Sequence, residues 1–93
     1  MDSRAACRFI ADAVAAGRIQ FSYHVLVEEM PVERVTREDV LNVLVNPTEA
    51  LAQNDEGTKW KLYGQPLGGG DLAVVVAFQR KQVVVIVTVH PLP

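Results

Sequence analysis

FSYHVLVEEMPVERVTREDVLNVLVNP, residues 21–47, holds the change of pattern on which the fold turns. Up to Tyr23 the chain alternates. Ile19, Phe21 and Tyr23 are apolar, and Arg18, Gln20 and Ser22 are polar, which predicts a short strand over 18–23. From His24 to Met30 the alternation gives way to a short helix, expected to stop at Pro31 because proline lacks a backbone donor. Thr36 to Asn46 is the clearest helix. Thr36 is its N-cap, and Asp39, three residues on, approximates a capping box. Glu38 and Asp39 suit the positive end of the helix dipole. Val40, Val43 and Leu44 form the stripe to be buried, and the Asn46-Pro47 step ends the helix.

The pattern extends in both directions. Upstream, Ala6, Phe9, Ile10, Ala13 and Val14 recur at helical spacing over 3–16, with Asp2 or Ser3 as cap and Gly17 as the left-handed terminator. Downstream, strands are expected at 49–54, 58–63, 72–78 and 83–90. Turns lie at 55–57 and 79–82, and a flexible loop spans 64–70. "VVVIVTV" is apolar on both faces, which predicts a central strand covered on both sides. The order helix, strand, helix, helix, four strands implies an α+β fold: two helices packed on one face of a mostly antiparallel sheet.

At 93 residues the chain is expected to form one domain, 1–93, with a modest core. Its longest apolar run, Leu72 to Phe78, falls far short of the roughly 18 residues of a membrane span. Asp2, Arg4, Arg8 and Asp12 break up the N-terminus, so no secretory signal is expected. Cys7 is alone and has no internal disulfide partner. Together these predict a cytoplasmic protein. The net charge of -2 counts against a general nucleic-acid binder, while leaving room for a local basic patch.

His24 is a candidate general acid or base; the alternative is a helix-start residue that satisfies a backbone group. Arg34 could hold a phosphate bidentately, or pair with Glu28, Glu29 or Glu33. "TKWKLY" puts Lys59, Lys61 and Tyr63 on one face of a strand and Trp60 and Leu62 on the other. Two lysines and a phenol could grip a phosphate backbone; a solvated sheet face gives the same pattern. Thr88 and His90 share a face of the last strand, with His90 at a catalytic strand end or beside a frayed "PLP" tail. "GQPLGGG" is no nucleotide fingerprint, and two histidines and one cysteine give no zinc spacing. Ser22 stands two residues before His24 without an elbow motif, so a serine hydrolase is not expected. No cofactor or metal is expected.

Ser22, His24, Met30, Arg34, Val35, Thr36, Asp39 and Val40 together resemble the family of domain of unknown function 4258, over roughly residues 18–90. The close at Thr88-Val89-His90 is similar to that family's final strands. In element order the family is similar to RelE/ParE-type toxins of toxin–antitoxin modules, many of which cleave RNA. Those toxins are generally basic, whereas this chain is acidic and adds an N-terminal helix.

The resemblance implies a RelE-like fold and a toxin-like, metal-independent endoribonuclease. For that activity the Ser-x-His…Arg pattern and the one-faced lysines offer His24, Arg34 and His90 as catalytic residues and Lys59, Lys61 and Tyr63 as substrate-binding ones. RNA, an antitoxin-like protein and a second copy of the chain are the candidate partners. The alternative is a non-catalytic interaction domain that binds through its N-terminal helix or an edge strand. A nucleotide site on Gly68-Gly69-Gly70 ranks last.

Overall fold

A computed structural model describes residues 1–93. Helix α1 (Ser3–Ala15) leads into strand β1 (Ile19–Phe21). A π-helical turn (Val25–Glu29) then runs into α2 (Met30–Glu33), and α3 (Arg37–Val45) follows. Strands β2 (Glu49–Ala52), β3 (Lys59–Gly64), β4 (Asp71–Gln79) and β5 (Val83–Leu92) complete the chain. They form one sheet in the order β1-β5-β4-β3-β2, antiparallel except for the parallel β1–β5 pair. The fold is α+β, as the element order predicts. No helix is long and apolar enough to cross a membrane.

Asp2 caps α1 by accepting the Ala5 N–H at 2.8 Å. Gly17, at φ 73°, provides the left-handed residue that lets the Arg18 N–H reach the Ala13 carbonyl and turn the chain into β1. The expected capping box is present: Thr36 accepts the Asp39 N–H and Asp39 accepts the Thr36 N–H. Ala6, Ile10 and Ala13 of α1 and Val40, Val43 and Leu44 of α3 meet Trp60, Leu62, Leu72, Val74, Val76, Val84, Ile86 and Val89 in one core.

Four expectations change. The first strand is shorter: Ser22 caps the next helix, its Oγ accepting the Val25 N–H and its carbonyl the Leu26 N–H. Tyr23 therefore falls in a helical turn and is exposed. Pro31 does not stop the helix. The Met30 N–H bonds five residues back, to Val25, and this widened turn relieves the crowding a proline ring meets in a regular α-helix. The helix ends instead at Arg34, in left-handed conformation at φ 56°. The strand expected over 49–54 ends at Ala52, because the Asn54 side chain accepts the N–H groups of Thr58 and Lys59 and closes the turn.

The fourth change concerns β5. It lies between β1 and β4, as expected of a central strand, but helices cover only one of its faces. It also continues through Pro91 and Leu92, which pair with Leu72 and Asp71, so His90 is not beside a frayed tail. Proline fits there because β1 pairs only with Val84–Ile86 and leaves that side of β5 open. Between Val75↔Thr88 and Val76↔Ile86 the register slips by one, and Val87 is the extra residue of a β-bulge. Val84 and Ile86 face the core before it, and Val89 faces the core after it.

Gly64 sets how closely α3 approaches β3. A Cβ there would lie 3.2 Å from Val43 Cγ1 and 3.4 Å from the Asn46 carbonyl oxygen. Gly64→Ala should cost about 1–3 kcal/mol by overpacking. Urea unfolding at pH 7 checks this; a variant as stable as the parent would show that α3 can recede freely.

Candidate functional site

The sheet face opposite the helices is built in cross-strand rows. Lys61 pairs with Val75, which pairs with Thr88. Tyr63 pairs with Ala73, which pairs with His90, and Lys59 pairs with Ala77, which pairs with Val85. Opposed residues share a face, so Lys59, Lys61, Tyr63, Thr88 and His90 lie on one side. Trp60 and Leu62 lie on the other, in the core, and the Trp60 indole donates to the Gly57 carbonyl at 2.9 Å. β2 adds Glu49 beside Tyr63 and Leu51 beside Lys61. Ala73 and Val75 are 0% and 7% exposed although neither belongs to the helix-covered core. Their longer neighbours in the rows shield them. The Lys61 Nζ stands 5.4 Å from the Tyr63 ring centroid, a cation–π contact on this face.

The Val87 bulge puts Thr88 and His90 here. Strict alternation would have pointed both into the core with Val84 and Ile86. Sequence alone pairs the two residues on a face but does not say which face.

His24 sits at the β5 edge of this surface, held by carboxylates rather than by a backbone group. Its Nδ1 lies 2.5 Å from Glu28 Oε2 and its Nε2 3.3 Å from Glu29 Oε2. Glu29, which the sequence offers only as one possible partner of Arg34, holds this edge instead. Its carboxylate accepts the Thr88 hydroxyl at 2.6 and 2.8 Å and the Val89 N–H at 2.9 Å. It thus occupies the ladder position that β1 vacates past Phe21. Burial by itself would raise the Glu29 carboxyl, but the Thr88 and Val89 hydrogen bonds, with His24 beside them, hold it below its usual range. Nothing local in the sequence could signal this, because Thr88 and Val89 lie some 60 residues away.

Arg34 makes no ion pair with Glu28, Glu29 or Glu33; the two ion pairs of the structure are those of His24. With Gly68, Gly69, Gly70, Pro91 and Leu92 it lines a cleft of about 220 Å³ at the end of β5, one residue beyond His90. The glycine loop is tethered rather than free. The Gly68 N–H donates to Asp39, the Gly69 N–H to Pro66, and the Asn42 amide to Gln65. Backbone hydrogen bonding from Thr36 is the largest influence on Asp39 and holds its carboxyl below the usual range, with the loop N–H groups adding to it. Arg37 is exposed and lies over the Phe21 ring at 4.7 Å. Cys7 is half-buried, which pushes its thiol up and leaves it little thiolate.

Lys59, Lys61, Tyr63 and His90 are therefore brought together. His24 reaches the same face only through Glu29 and Thr88, and Arg34 stands at its end. A family described as Domain of unknown function (DUF4258) matches residues 21–91, and the chain belongs to it. No curated protein and no solved structure matches.

The Glu29 network has a pH signature. A carboxyl held below its usual value stabilises the fold fully above its unfolded pKa, about 4.3, and loses that contribution as pH falls through the lower folded value. Glu29→Gln should cost roughly 1.5–3 kcal/mol at pH 7. The gap between variant and parent should narrow on going to pH 3. Urea titrations at both pH values check this, and a gap that stays constant would rule out the charged carboxylate as the source.

Proposed function

We propose that this family member is a toxin-like RNA-binding domain of RelE-like design that cleaves RNA without a metal ion. The single observation behind the proposal is the uncovered sheet face, which gathers two lysines, a tyrosine and a histidine in adjacent rows. Lysines there can neutralise phosphates, and the Tyr63 ring offers a surface for a base to stack on. His90, half-buried among them, would act as general acid or base.

One histidine takes the proton of a 2′-hydroxyl, and the 2′-oxygen attacks the adjacent phosphorus. The 5′-oxygen leaves with a proton from a second group, giving a 2′,3′-cyclic phosphate and a 5′-hydroxyl. Lys61 and Arg34 would stabilise the charge that builds on the phosphoryl oxygens. His24 is the second histidine. Both of its nitrogens face carboxylates, so it acts on a substrate only after releasing one of them. Its bond to Glu28 joins two exposed side chains and is the one readily given up.

A second reading, a non-catalytic interaction domain, draws on the acidic balance and on the free edge of β2, where Leu51 is exposed. An antitoxin-like protein or a second copy would be its partner.

A labelled single-stranded RNA in buffer containing EDTA separates the two. On the catalytic reading the parent cleaves, and His90→Ala and His24→Ala each lower the rate by about 100-fold or more. Lys61→Ala weakens binding and reduces the salt slope by about one. If the parent neither binds nor cleaves, the interaction reading stands.

A further inference from the structure

The short helical segment from Tyr23 to Glu33 gathers exposed apolar side chains. Tyr23 is 76% exposed, Leu26 47%, Val27 50% and Val32 76%. These are four of the eight large apolar residues that the whole chain leaves exposed. Singly, such residues need no explanation; gathered on one short element they do.

The π turn explains how they gather. Widened hydrogen bonding makes residues five apart point the same way. Val25 and Met30, five apart, are both buried. On the outer side, Val27 and Val32 are likewise five apart, with Tyr23 four residues before Val27 and Leu26 beside it. The result is an outward apolar strip that no element of this chain covers.

Charge selects what can cover it. Residues 23–33 contain Glu28, Glu29 and Glu33 and no lysine or arginine. Glu28 is exposed, and Glu33, also exposed, has no ion-pair partner. Arg34 follows directly and, with Glu33, lines the glycine-loop cleft. A two-fold contact between copies would set these carboxylates against each other. An anionic lipid surface or a nucleic acid would be repelled.

We propose that this strip docks an amphipathic helical segment of a partner protein, with an apolar stripe flanked by lysine or arginine. Its apolar stripe packs on Tyr23, Leu26, Val27 and Val32, and its cations meet Glu28 and Glu33. The surface is distinct from the sheet face and stands whether or not RNA is cleaved there.

The probe is a designed peptide of about 18 residues, long enough to form a helix, with leucines at i, i+3, i+4 and i+7 and lysines elsewhere. An otherwise identical peptide with glutamates for lysines is the control. Amide shifts of the ¹⁵N-labelled full chain are followed by NMR. The lysine peptide should shift residues 23–33, and the glutamate peptide should not. Val32→Asp and Glu33→Lys should each weaken binding by about tenfold, and Lys61→Glu should leave it unchanged. Val32 is exposed, so its variant should keep the parent fold; Tyr23→Ser is a second variant at an exposed site. The proposal is overturned if millimolar lysine peptide leaves residues 23–33 unshifted, or if both peptides bind alike. It is also overturned if the variants bind as the parent does, or if the chain forms a dimer that Val32→Asp dissolves.

Discussion

Glu29 does for β5 what a strand would otherwise have to do. β1 is three residues long and stops pairing at Ile86, so the next open donor of β5, the Val89 N–H, faces outward without a strand partner. A carboxylate delivered from a helix takes that N–H and the Thr88 hydroxyl together. Three features combine to deliver it. Ser22 starts the helix immediately after β1, the π turn rotates the carboxylate toward the sheet, and buried Val25 and Met30 pin the turn to the core. Losing the carboxylate would leave a partly buried N–H and hydroxyl unsatisfied, which is why it matters beyond its own bonds.

The same edge organises the candidate site. His24 is oriented by Glu28 and Glu29, and Glu29 connects it to Thr88, which lies in the row that leads through Val75 to Lys61. Three of the eleven acidic residues, Glu28, Glu29 and Glu33, lie on the helical side of this edge, whereas the lysines of β3 stand on the sheet face. The sheet face carries Lys59 and Lys61 with Glu49 beside Tyr63, and the segment 23–33 carries Glu28, Glu29 and Glu33 without a lysine or arginine.

Much of the fold was legible because it rests on local chemistry. The caps at Asp2 and Thr36, the Gly17 terminator and the alternation of Lys59 to Tyr63 all act within a few residues. The errors fell where a local rule met a tertiary one. Pro31 stops a regular helix but not one already widened by a π turn. Tyr23 continues the strand alternation, yet Ser22 before it caps a helix. Of the candidate residues, the one-faced lysines and tyrosine were visible from spacing. Glu29 was not, because its partners come from the far end of the chain.

The sequence by itself determined the element order, the α+β class, the helix caps and the grouping of Thr88 with His90 on one face. Alternation and capping decide these over short range, and composition decides the charge. Only the tertiary structure decided which face those two residues take. The extra residue at Val87 reverses the alternation of β5, and a bulge exists only relative to the strand it fails to match. That register with β4 puts His90 in one row with Ala73 and Tyr63 and leaves the edge of β5 for Glu29 to complete.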